Sequence, residues 1–271
     1  MKTSDIYRFS RRSQLTLLGV SIFTMAGFTW PFFAPDRDAA RLAQYFFWIA
    51  LPLTFLLLIA QLSDKSLDAK SVALLGILAA LIAALRPLGA GAVGLEPMWF
   101  LLILAARVFG SAFGFLLGVL AMFASALFTG GIGPWLSYQL FAAGIIGLFA
   151  GSIFKSIRGR REIYLLVFIS IFSSLIYGLL MDLQFWPWAI GSNTQLSFIP
   201  GGGLETNVRR FFAFHFLSAM AWDIPRAILT SILTISAGPA VLTALRRTKK
   251  RAAFLTPIEF IERANQPKAT L

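Results

Sequence analysis

The chain has 271 residues, 58% of them hydrophobic, with a mean hydropathy of +0.76 and a formal net charge of +12. It has no cysteine and one histidine, which excludes disulfides, thiolate catalysis and Cys-ligated metals, and argues against a His-cluster metal site. So apolar a chain reads as an integral membrane helix bundle: hydrocarbon about 30 Å thick is crossed by helices of roughly 20 apolar residues, and the ten-residue alternation of a β-barrel is missing.

Residues 1–14 are polar and basic, and 15–33 form the first apolar run. That run ends in Trp30-Pro31-Phe32-Phe33 without a small-x-small cleavage pattern, so it reads as a retained helix and not as a signal peptide. The second span is 45–62, with Pro52 inside it as a kink, and a charged loop fills 63–70. The third span starts at Ser71 and is ended or kinked at Pro87. Residues 98–108 are short for a full crossing, and Phe109-Gly110-Ser111 turns the chain into spans at 112–128 and 135–153. A basic loop at 155–162 precedes a charge-free span at 163–181. The longest connection is expected at 182–207, carrying Phe185-Trp186-Pro187-Trp188 and Pro200-Gly201-Gly202-Gly203. A last helical stretch, 208–245, exceeds what a bilayer needs and leads into a basic tail.

Eight segments put both termini on one side. Alternating the loops gathers the basic head, Lys65, Lys70, Arg107, the 155–161 cluster and the basic tail on that side, against Arg37, Arg41, Arg86, Arg209 and Arg210 on the other. The positive-inside rule then makes the termini cytoplasmic, in a multi-pass protein of the cell membrane.

Little points to catalysis. A P-loop, an H-E-x-x-H helix, a G-x-S-x-G elbow and paired carboxylates are all missing, and His215 in an aromatic run reads as an interfacial polar tip. The expectation is no enzyme and no cofactor. Ala79/Ala83 and Ala80/Ala84 put small residues on a helix face that another helix could approach closely, or that packs within this chain. The loops at 86–97, 129–134 and 182–207 share the outer side and bring Arg86, Glu96, Trp99, Gly131, Trp135, Gln139, Trp186 and Trp188 near one mouth. Tryptophan at helix ends fits an aromatic belt; clustered with glycine and one charge of each sign, it also suits a pocket for a planar polar ligand. Asp223 and Arg226, one turn apart, read either as a self-neutralising pair or as part of that site.

In order along the chain, Ala79/Ala83, the polar loop 86–97, the short run 98–107, the glycines from Gly110 to Gly118, Gly130-Gly131-Ile132-Gly133-Pro134-Trp135, and Gly144, Gly147 and Gly151 resemble the substrate-binding S-component of energy-coupling-factor (ECF) transporters. Trp222-Asp223-Ile224-Pro225-Arg226 is similar to the actinobacterial type. The resemblance implies a six-helix core at 67–251, preceded by an added hairpin within 1–66 and followed by a tail at 252–271. It also implies a transmembrane scaffold subunit docking on Ala79, Ala80, Ala83 and Ala84, two cytoplasmic ATPases, and a vitamin-like substrate such as a corrinoid, flavin or pyrimidine. A stand-alone secondary transporter or channel, with Asp223 and Arg226 relaying ions, is the alternative.

Overall fold

The computed structural model describes residues 8–34, 69–89, 93–189 and 194–251, together with positions 5, 6, 36, 38, 45, 49, 52, 53 and 56. Most of the second expected span, 45–62, and the tail at 252–271 lie outside the described residues. Among the described residues the chain is all-helical: α1 (Arg11–Thr29), α2 (Ala69–Leu85), α3 (Met98–Phe109), α4 (Ser111–Thr129), α5 (Leu136–Ser152), α6 (Arg160–Ala189), α7 (Leu204–Phe214), α8 (Met220–Ser236) and α9 (Gly238–Arg251). Among the described residues, five helical stretches are long and apolar enough to cross a membrane: Arg11–Phe32, Ala69–Gly89, Ser111–Thr129, Arg160–Ala189 and Leu204–Ser236. The protein is a polytopic membrane helix bundle.

The short helix α3 lies at its centre. Twelve residues rise only about 18 Å, and every one except Leu101 is buried. It stops at Gly110, whose φ of 112° suits glycine, and the chain reverses there into α4. Gly110, Gly114 and Gly118 line the α4 face that meets Ala143, Gly147 and Gly151 of α5. A Cβ on Gly114 would overlap the backbone of Gly147, and one on Gly147 the backbone of Gly114. The two helices therefore touch main chain to main chain, the kind of close approach that drives association where apolar surface alone cannot.

Two expected elements differ. The run ending at 181 continues to Ala189, so most of what reads as the start of a long loop is helix. Asp182 and Pro187 look like loop signals, but Asp182 is paired with His215 at 2.9 Å and Trp186 is fully buried, so tertiary contacts carry the helix onward. The last stretch begins earlier, at Leu204, and is not continuous. A π-helical turn, His215–Ala219, separates α7 from α8, and the chain breaks again at Ala237, where Pro239 has no amide hydrogen to continue α8.

The first apolar run is helical as expected and packs against α5 and α6. Tyr138 donates its hydroxyl to the carbonyl of Gly27 (3.3 Å), and its ring meets Phe28 edge-on at 4.7 Å. At the end of the bundle where α3 finishes, Glu162 is buried and accepts from Arg107 (2.9 Å), Arg246 (2.6 Å) and Arg158 (3.2 Å). Arg107 also donates to the carbonyls of Ile153, Phe154 and Ile157, holding the loop that follows α5.

Gly147→Val should lower the melting temperature of the detergent-solubilised protein sharply. Backbone atoms cannot rotate away, so the cost should reach or exceed the roughly 1–3 kcal/mol of ordinary overpacking. Gly19→Ala, inside α1 where an added Cβ meets nothing within 4 Å, should not lower melting.

Candidate functional site

At the other end of α3 a cavity of about 560 Å³ opens between the α2–α3 connection, the start of α5, the C-terminal half of α6, the π turn and α8. Its wall carries Glu96, Gln139, Asp182, Asp223 and Arg226 among the aromatic rings of Trp135, Tyr177, Phe185, Phe214 and Trp222.

Arg226 organises the polar part. Its Nε donates to Glu96 Oε2 (2.9 Å), and its Nη1 donates to Asp223 Oδ1 (2.7 Å) and to the carbonyl of Ser174 (3.3 Å). The guanidinium carbon lies 5.0 Å from the centre of the Tyr177 ring, within range of a cation–π contact. Trp99 Nε1 donates to the same Glu96 oxygen (2.7 Å), and its ring packs on Tyr177 at 4.4 Å between centroids. Burial pushes the Glu96 carboxyl up, but the charge of Arg226, the hydrogen bonds from Trp99 and Arg226, and the more distant Arg86 together hold it below the ordinary glutamate value.

Asp223 is 1% exposed, and its second oxygen, Oδ2, is buried without a hydrogen-bond partner. The carboxylate lies against Gly178 of α6, where any Cβ would overlap both oxygens. On the loop side, Gly94 sits at φ 67° so close to the Trp222 carbonyl that a side chain would collide with it. Glycine on α6 and in the α2–α3 connection thus lets both close onto α8.

Of the residues singled out in the sequence, Glu96, Trp135, Gln139, Asp223 and Arg226 meet at this cavity. Arg86 and Trp99 stand behind it, Arg86 donating to Gln139 (3.3 Å) and Ser125 (3.4 Å). Gly131 does not line it; its carbonyl accepts from Trp135 Nε1 at 3.3 Å. The two tryptophans of α6 are elsewhere. Trp186 is fully buried, donates to the Leu196 carbonyl (2.7 Å) and packs with Phe198 and Phe211, so it belongs to the core. Trp188 is exposed and leans on Trp30 at 5.7 Å.

His215 is not an interfacial tip: it is 6% exposed and bonded to Asp182. The alanine face also divides. Ala79 and Ala83 are buried inside the bundle, whereas Ala80 and Ala84 are exposed. Tyr177, Gly178, Asp182 and Phe185 were not read as site residues. Their three-to-four spacing past Met181 is a helical face, and following it through 182–185 would have found them.

A family model described as the ECF transporter substrate-specific component matches residues 70–237, which include every residue of the cavity wall. No curated protein and no solved structure gives a match.

The low Glu96 value sets a pH test. A carboxyl depressed in the folded state adds stability that is complete above the unfolded value and is lost as pH falls through the folded one. The wild-type melting temperature should therefore fall as pH drops below about 4.5, the ordinary value. Glu96→Gln should melt lower at neutral pH and lose less over that acid range, as measured by thermal unfolding of the two proteins in parallel.

Proposed function

The chain belongs to the family of ECF transporter substrate-specific components, and from that premise we propose that it captures a vitamin-like micronutrient for an ATP-driven importer in the cell membrane. The observation that carries this reading is the cavity at one end of the bundle, closed by residues far apart in sequence and holding one buried carboxylate oxygen free. Its walls offer flat aromatic surface for a planar ligand, and a few fixed polar groups to orient it.

The ligand enters from outside, at the end opposite the Glu162 cluster. The lysines and arginines gathered with that cluster, at 155–161 and 246–251, support a cytoplasmic assignment for its end and for both termini. The partners in this reading are a transmembrane scaffold subunit and two ATPases, which supply the nucleotide-binding motif this sequence lacks. With Ala79 and Ala83 packed inside, the docking face for the scaffold reduces to the exposed residues Gly76, Ala80 and Ala84, spaced four apart on α2.

Mass spectrometry of small molecules that co-purify with the solubilised chain tests the capture reading directly. A stoichiometric bound micronutrient is the expected result; no bound molecule, with no uptake by cells carrying the whole complex, would refute it. Once that ligand is in hand, Trp135→Ala should weaken its binding by about tenfold, since about 1.4 kcal/mol is one decade.

The double substitution Ala80→Leu and Ala84→Leu should abolish uptake in the assembled complex while leaving equilibrium binding to the isolated subunit unchanged. Uptake at the wild-type rate would move the docking face elsewhere.

A further inference from the structure

The charges that face the cavity do not cancel. Glu96, Asp182 and Asp223 bring three carboxylates to its wall, and Arg226 is the guanidinium among them. That guanidinium is already divided between Glu96 and Asp223, and Asp182 is bonded to His215. Arg86 is turned to Gln139 and Ser125 behind the wall.

What is left over is one anionic atom, Oδ2 of Asp223, buried and without a hydrogen-bond partner. A charged oxygen out of water without a donor carries a desolvation cost that a bound N–H would relieve. Gly178 lets α6 pack directly on that carboxylate, since a side chain there would overlap it. The aromatic rings of Trp135, Trp222 and Phe214 that line the same cavity favour positive charge over negative.

Resting on the capture reading above, we propose that the ligand is a planar organic cation whose N–H group donates to Asp223 Oδ2, of the amidinium or protonated aminoheterocycle class. The aromatic side chains flank its ring. Arg226 is not the ligand's counter-ion. It is a positioning residue that fixes Asp223 through Oδ1 and leaves Oδ2 for the ligand. An anionic ligand of the same shape would meet three carboxylates, with the one guanidinium on the wall already shared by two of them.

Three probes of one shape and different charge test this on the full-length chain in detergent at neutral pH: benzamidine as the cation, benzamide as the neutral form and benzoate as the anion. Calorimetric titration and thermal shift should show saturable benzamidine binding at millimolar concentration, weaker benzamide binding and none for benzoate. Asp223→Asn should lower benzamidine affinity at least tenfold and remove its advantage over benzamide. Benzoate binding as well as benzamidine, no saturable benzamidine binding, or unchanged affinity in Asp223→Asn would each overturn the proposal. Should that variant fail to fold, the charge series on the wild-type chain still decides. A co-purifying anionic micronutrient with intact uptake would sink the cation assignment alone, leaving capture standing; no ligand and no uptake would sink capture itself.

Discussion

Arg226 is buried among apolar helices, and a guanidinium there without partners would be strongly destabilising. Two carboxylates hold it, one from its own helix and one from a connection 130 residues earlier in the chain. Removing one partner of such a buried pair typically costs about 3–5 kcal/mol, because the other charge stays behind. Much local structure follows from this constraint. The α2–α3 connection must reach α8, so Gly94 passes the Trp222 carbonyl where no side chain fits. Helix α6 must come close enough for the Ser174 carbonyl to accept from Arg226, so Gly178 lies under the Asp223 carboxylate. The cavity is the space that remains between these three elements, the start of α5 and the π turn once the arginine is satisfied.

A second ionic cluster closes the opposite end, and α3 joins the two. Glu96, two residues before its start, accepts from Trp99 in its first turn and pairs with Arg226 of α8, and its last turn presents Arg107 to Glu162 of α6. Between these anchors the helix is apolar and buried on nearly all sides, as a helix at the centre of a bundle must be. With polar anchors at both ends it cannot slide along its axis without breaking one of them. A helix too short to cross the membrane is thus fixed in depth by ion pairs with α8 at one end and α6 at the other.

The sequence made the helices legible because long apolar runs and glycine or proline breaks are local signals. Asp223 and Arg226 were visible for a similar reason: two charges within an apolar stretch stand out. Their partner Glu96 could be placed on the same side by counting spans, though not paired. Signals that depend on distant partners were lost. Asp182 reads as the start of a loop until His215, 33 residues on, is seen to accept or donate a hydrogen bond with it. Trp186 reads as a belt or pocket residue because burial by Phe198 and Phe211 leaves no mark on its own neighbours in sequence. The alanine pairs show the limit of periodicity: spacing put both pairs on α2, but only packing separates the buried Ala79 and Ala83 from the exposed Ala80 and Ala84.

The first helix bears on the same question from outside the family match, which begins at residue 70. Its end does not stop at the bundle surface. Trp30 meets Phe198 edge-on at 5.3 Å, Phe32 packs between Trp186 and Phe211, and the side-chain amide of Asn207 reaches the Pro31 carbonyl at 3.5 Å. The same Asn207 accepts from the Ile199 amide and donates to its carbonyl, so α1, the 194–203 connection and α7 are tied at one point. Phe211 in turn stacks on His215, the partner of Asp182 on the cavity wall. A continuous run of aromatic contacts therefore leads from α1 to the site. Trp186 and Trp188, which sequence reasoning placed beside the ligand, instead hold the first helix against the elements that form the cavity. The aromatic surface left for a ligand comes from Trp135, Tyr177 and Trp222, all inside the family match.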